Sequence, residues 1–198
     1  MLTQRDREVL TWIQDYKAIS VAQCSELFYK GNYEGCRRRL KQLEDMELLK
    51  SYITRYSKEK VYYQDKKMSE HDLNVYNFLK VIKKNGGNII SIQNQPRYMN
   101  DTIRPDAFII FSYQNNVYFI LLEVDLTHYT SNSKMQRYEE LYKNGELQIQ
   151  CYGTFPIVII ARPTMDGIRY NSSNFNVVYL DLYYSNIINL LFQNSSII

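Results

Sequence analysis

Histidine occurs only twice in these 198 residues and cysteine three times, and Cys24, Cys36 and Cys151 form no CxxC pair. Neither a zinc site nor a disulfide framework is therefore expected; the spacing predicts buried free thiols in a reducing cytoplasm. No apolar run is long enough to cross a bilayer, so no membrane partner is expected. The opening stretch MLTQRDREVL carries charge almost from its start, which argues against a signal peptide. No glycine-rich phosphate loop or dinucleotide fingerprint is present, so no nucleotide cofactor is expected from motif. What remains is 45% hydrophobic and 23% charged, the balance of a soluble globular protein rather than a disordered one. Tyrosine, asparagine, isoleucine and lysine are over-used, and their AT-rich codons point to a low-GC bacterial genome, or a plasmid or phage within one.

Positive charge is concentrated at one end. Residues 1–67 hold 14 Lys+Arg against 10 Asp+Glu, whereas the remainder holds 10 against 11. In that first third, Thr3 is an N-cap candidate for a helix carrying Val9, Leu10, Trp12 and Ile13 at helical spacing. Ser20 caps a second helix with Val21, Cys24, Leu27 and Phe28 on one face. Asn32 caps a third, in which Cys36, Leu40 and Leu43 mark the buried side, while Arg37, Arg38 and Lys41 point away. Two stretches rich in Tyr, Ile, Val and Thr then flank Ser57-Lys58-Glu59 as a β-hairpin. Three helices and a hairpin predict a winged helix-turn-helix over 1–67. Its third helix would read double-stranded DNA through Asn32, Tyr33, Arg37, Arg38 and Lys41, with Arg55, Lys58 and Lys60 of the wing over flanking phosphates. The plainer alternative is that the RRRLK run is a solvated helix face.

Residues 68–198 predict an αβββαβ domain. Ser69 caps a helix with Leu73, Tyr76, Leu79, Val81 and Ile82 on its apolar side, and Asn85-Gly86-Gly87 ends it. IISIQNQ, DAFIIFSY and NVYFILLEV read as strands, the last two joined through QNN. A helix follows in SKMQRYEELYKNG, then FPIVIIA, apolar enough to be a strand buried on both faces. NVVYLDL is a further strand and SNIINLLFQ a closing helix. This order of elements is the core of the PD-(D/E)xK nuclease fold, with Asp106 at the start of one strand and Glu123 near the end of the next. Glu123 and Asp125, two apart in a strand, share a face. Asp106, Glu123 and Asp125 could hold Mg²⁺ or Mn²⁺, hard ions that prefer oxygen ligands. A working centre of this type also needs a lysine where Asp125 stands. Lys134, at the start of the next helix, is the candidate for a relocated one. The alternative is structural: Asp106 caps a turn after Pro105, and Glu123 and Asp125 pair with Arg104, Lys134 or Arg137.

Taken together, these pieces resemble the replication-relaxation family of plasmid and mobile-element proteins. The resemblance rests on the N-terminal winged helix, on EHDLNVYNFL, and on RPDAF, FILLEVDLT and KMQRYEELY, and covers the chain to about residue 162. The family pattern matches at His71, Pro105, Asp106, Glu123, Asp125, Lys134, Arg137 and Tyr138, so that Asp125 follows the family rather than being a lesion in this chain. What the resemblance implies is a cytoplasmic protein acting on DNA in plasmid replication, mobilisation or their regulation. It would be a homodimer needing no cofactor to bind, with a replication initiator or relaxase as a further partner. The competing expectation is an enzyme, a Mg²⁺- or Mn²⁺-dependent endonuclease or nickase using Asp106, Glu123, Asp125 and Lys134.

Overall fold

A computed structural model of the chain describes residues 1–126, 128–167, 169–187 and 189. The chain divides into two compact units, 1–84 and 85–198, each with its own elements and core.

The first unit begins with α1 (Gln4–Tyr16), started by a reciprocal capping box. Thr3 Oγ1 accepts the Asp6 N–H, and the Asp6 carboxylate accepts the Thr3 N–H. Ser20 and Gln23 repeat the device at the head of α2 (Val21–Phe28). Asn32 caps α3 (Tyr33–Asp45) through the Gly35 N–H. A β-carbon at Gly35 would lie 2.8 Å from the Asn32 amide nitrogen, so a larger residue there would shift the capping side chain. Val9, Ile13, Val21, Cys24, Cys36, Leu40 and Leu43, all expected from the helical spacing, form the core between the helices together with Leu49; Leu10, Trp12, Leu27 and Phe28, also expected, pack against it only partly buried. All three cysteines are free and buried.

Strands β2 (Lys50–Ile53) and β3 (Lys60–Tyr63) form the expected antiparallel hairpin. A strand not anticipated, β1 (Ala18–Ser20), pairs with the other edge of β3 and makes a three-strand antiparallel sheet in the order β1-β3-β2. It is only three residues long, all buried, and too short to show alternation. Helix α4 (Glu70–Lys84), capped by Ser69 as expected, belongs to this first unit. The sequence pattern places this helix at the head of the second domain, from residue 68. Instead Gln23 Nε2 donates to the Leu73 carbonyl at 2.8 Å and to Asn77 at 3.0 Å, binding α2 to α4.

In the second unit a five-strand mixed sheet runs in the order β4-β5-β6-β7-β8: β4 (Asn88–Asn94), β5 (Ala107–Tyr113), β6 (Asn116–Val124), β7 (Ile157–Arg162) and β8 (Val177–Asp181). The first three strands are antiparallel and the last two continue in parallel. Gln114 and Asn115 join β5 to β6 with φ of 46° and 66°, the two-residue left-handed turn whose twist matches the flanking strands. Between β6 and β7 come α5 (Asn132–Asn144) and the short α6 (Glu146–Gln150), hinged at Gly145 in a left-handed conformation. Met135, Tyr138 and Leu141 of α5 pack on Phe108, Leu121, Val158, Ile160 and Tyr179 of the sheet. The closing helix expected over 185–193 lies outside the described residues except for positions 185–187 and 189. Among the described residues, no helix is long and apolar enough to cross a membrane.

Candidate functional site

In the first unit the core stripe of α3 turns Arg37, Arg38 and Lys41 outward, and all three are exposed, as are Asn32 and Tyr33. Their charge is not bare. Arg37 lies 2.9 Å from Glu34, while Lys41 reaches Glu44 at 3.2 Å and Asp45 at 2.8 Å. Arg38 donates to the Glu34 carbonyl at 3.4 Å. Lys60, expected at a phosphate, is half-buried and holds Glu44 at 3.0 Å. Glu44 in turn is kept ionised, its pKa lowered to about 2 by the Ser51 hydroxyl, with Lys60 and Lys41 adding to the effect against burial. Arg55 and Lys58 stand exposed at the hairpin turn.

Arg39 takes another role, and nothing in the RRRLK run marked it out. It grips the buried Asp6 with two nitrogens, at 2.9 and 2.7 Å. Hydrogen bonds from Arg39, joined by those from Thr3, hold the Asp6 carboxyl far below the ordinary range despite burial. Of three consecutive arginines, two face solvent and one ties α3 to α1.

In the second unit the acids gather at the carboxyl end of β6. Asp106, just before β5, accepts the Val124 N–H at 2.7 Å. Glu123 is buried on the face covered by α5. Lys134 Nζ meets its Oε2 at 2.5 Å, and the Tyr138 hydroxyl donates to its Oε1 at the same distance. Lys134 and Tyr138 are four apart and so share one side of α5. Burial raises the Glu123 pKa to about 7; Lys134 opposes the rise and the nearby Asp106 carboxylate adds to it. Tyr138 is raised by its own burial and by Glu123.

Asp125 is engaged elsewhere. Its Oδ1 accepts the Thr130 N–H at 2.8 Å and hydroxyl at 2.6 Å, and its Oδ2 lies 3.3 Å from Arg162. The Arg162 guanidinium is stacked between Tyr179, 4.4 Å from its centroid, and Tyr129, at 5.0 Å. The partners proposed from the sequence divide accordingly. Lys134 does pair with Glu123, Arg104 goes to Gln95, and Arg137 goes to the Thr102 carbonyl. Arg162 was missed because it ends an apolar strand 37 residues beyond Asp125 in sequence; parallel pairing of β6 with β7 brings them together.

This geometry bears on a metal ion. Among the described residues, no group of three or more His, Cys, Asp or Glu is placed to hold one. Asp106 and Glu123 are neighbours, but both Glu123 oxygens already face a donor and Asp125 is committed to Arg162 and Thr130. Asp106, Glu123 and Asp125 as arranged therefore do not fit Mg²⁺ or Mn²⁺ as a three-carboxylate set. His71 leans on Asp72 at 3.3 Å, and His128 is exposed.

Comparison of the chain with protein-family models, with curated proteins and with solved structures found no match.

Proposed function

We propose that this protein binds double-stranded DNA in a sequence-specific manner and belongs to a plasmid or other mobile element, where it serves replication, mobilisation or their regulation. In this reading α1 to α3 and the three-strand sheet are a winged helix-turn-helix, with α3 as the recognition helix and the β2–β3 hairpin as the wing. The second unit is a PD-(D/E)xK nuclease-like fold retained in the cytoplasmic homodimer for dimerisation, or for contact with DNA, a replication initiator or a relaxase. No cofactor is needed for binding.

The observation that carries the reading is the outer face of α3, where Arg37, Arg38 and Lys41 are exposed opposite a fully buried Cys36, Leu40 and Leu43. Glu34 beside Arg37 and Asp45 beside Lys41 are themselves in solvent, and DNA phosphates can replace them at small cost; Glu44, the other partner of Lys41, is more buried and also holds Lys60. Arg38→Ala combined with Lys41→Ala is expected to abolish duplex binding, and wild-type affinity should fall steeply with added salt. Affinity unchanged in the double variant removes α3 as the reading helix. A twofold dimer further predicts half-sites about one helical turn apart, or a multiple of it.

One observation favours a second reading, an endonuclease or nickase. Lys134, the only lysine proposed to stand in for the one missing at 125, does lie against Glu123 beside Asp106. Incubating supercoiled plasmid with Mg²⁺ or Mn²⁺ separates the two readings. Nicking by wild type that is lost in Asp106→Ala establishes the enzyme; intact plasmid from protein that still shifts DNA leaves a binding protein.

A further inference from the structure

The turn between β2 and β3 is closed twice. At its base Thr54 and Glu59 exchange hydrogen bonds: the Thr54 N–H donates to the Glu59 carbonyl at 2.9 Å, and the Glu59 N–H to Thr54 Oγ1 at 2.8 Å. At its tip the carboxylate of Glu70, the first residue of α4, accepts from the Tyr56 N–H at 3.1 Å and from the Ser57 N–H at 3.1 Å. The Ser57 hydroxyl adds a third donor at 3.2 Å. Two successive backbone N–H groups converging on one carboxylate make an anion nest, here filled by the chain's own side chain. Burial raises the Glu70 pKa, but these donors outweigh it and the net shift is downward, so the latch is ionised at neutral pH.

Beside this latched turn stand Arg55, Tyr56 and Lys58, all exposed, with Tyr56 at 73% of its full accessibility. The Arg55 guanidinium lies 5.7 Å from the Tyr56 ring centre. An aromatic ring held out in water beside Arg55, with Lys58 two residues on in the same turn, has no role in the core of this unit. Its surroundings suit a sugar–phosphate backbone, with phosphates for the cations and a deoxyribose for the ring.

We infer that Glu70 is a positioning residue for DNA binding, latching the wing so that Arg55, Tyr56 and Lys58 meet the backbone as one preorganised surface, and that Tyr56 is a contact residue of that surface. This rests on the DNA-binding reading above and adds to it a residue outside both the recognition helix α3 and the wing. The physical reason is entropic. A six-residue turn that ordered only on binding would charge that cost against affinity, and Glu70 removes the cost beforehand.

The sign of the Glu70 effect separates the latch from simpler roles. If Glu70 were only a negative charge near DNA, removing it would tighten binding. Were it a placeholder in a phosphate site, removing it would tighten binding too. A latch requires the opposite. With the full chain and a mixed-sequence duplex at low salt, Glu70→Ala is expected to weaken binding about tenfold, the scale of losing hydrogen bonds to a charged group. Without DNA, the Tyr56 and Ser57 amide protons should exchange faster in that variant while the unfolding midpoint of the unit stays close to wild type. Glu70→Gln, which keeps one acceptor oxygen, should recover part of the affinity. Tyr56→Ala should weaken binding, and Tyr56→Phe should not.

Binding by Glu70→Ala that is equal to or tighter than wild type overturns the inference. If Arg38→Ala with Lys41→Ala loses DNA in the same assay, the DNA-binding reading survives that failure. A wild-type protein that binds no duplex overturns both, and unchanged amide exchange in Glu70→Ala overturns the latch alone.

Discussion

The outer face of α3 and the carboxyl end of β6 both hold cations near carboxylates, but on opposite terms with water. On α3 the side chains of Arg37 and Glu34 are 55% and 65% exposed, and those of Lys41 and Asp45 are 55% and 60% exposed. In the second unit Arg162 and Asp125 are 5% and 4% exposed, and Glu123 is 3% exposed against Lys134. An ion pair in water is a loose commitment, because either partner can trade the other for solvent or for a phosphate. A buried pair cannot trade, since removing one member strands the other in a medium that solvates it poorly. The exposed pairs of α3 thus leave a surface open to a polyanion, while the buried acids at the end of β6 are committed to the fold, as is Asp6 with Arg39 in the first unit.

The strongest way to break this contrast is to remove Arg162. Arg162→Ala leaves Asp125 buried against Thr130 alone and empties the slot between Tyr129 and Tyr179. The loss expected in denaturant unfolding is about 3–5 kcal/mol. Asp125→Ala should cost a similar amount, and the double variant should recover part of it. An Arg162 variant as stable as wild type would make the pair no more committed than those on α3.

Next comes the pH dependence of Glu123. Its pKa is raised from 4.5 to about 7 in the folded protein, chiefly by burial, so the folded state holds a proton that the unfolded state releases. Stability from this group is therefore fully present below about 4.5 and is lost as pH rises through about 7, by on the order of 3 kcal/mol. Glu123→Gln, neutral throughout, should flatten the slope of stability against pH in that window. A slope that survives the substitution assigns the titration to another group.

The smallest effect sharpens the contrast from the other side. Glu34→Gln frees Arg37 on the outer face of α3, and should leave thermal stability unchanged while tightening duplex binding a few-fold at low salt. A clear fall in stability would show that the surface pair belongs to the fold after all.

Much of this architecture was legible in the residue order. Thr3, Ser20 and Asn32 named the helix starts, and the stripe of Cys36, Leu40 and Leu43 named the buried side of α3. The Gln114-Asn115 turn placed the β5–β6 hairpin, and the apolar run around Ile159 marked a strand buried on both faces. These are local signals, carried by residues within a turn or two of each other. The pairing of Glu123 with Lys134 was one of several open choices, and the rotation of α5 over the sheet selected it. Strand β1, the attachment of α4 to α2 through Gln23, and the grip of Arg39 on Asp6 were not legible. Each joins residues far apart in sequence.

What the sequence by itself determined about this protein is therefore where most of the longer elements begin and end, which side of each is apolar, and that positive charge gathers in the first third. Which charge meets which was decided only in three dimensions. Arg39 and Arg38 are adjacent and chemically identical, yet one is bound to Asp6 and the other faces solvent, because successive residues on a helix point about 100° apart. Asp125 likewise stands where a nuclease of the proposed fold has its lysine. Its partner, Arg162, comes from a parallel strand that only the crossover through α5 and α6 sets beside it.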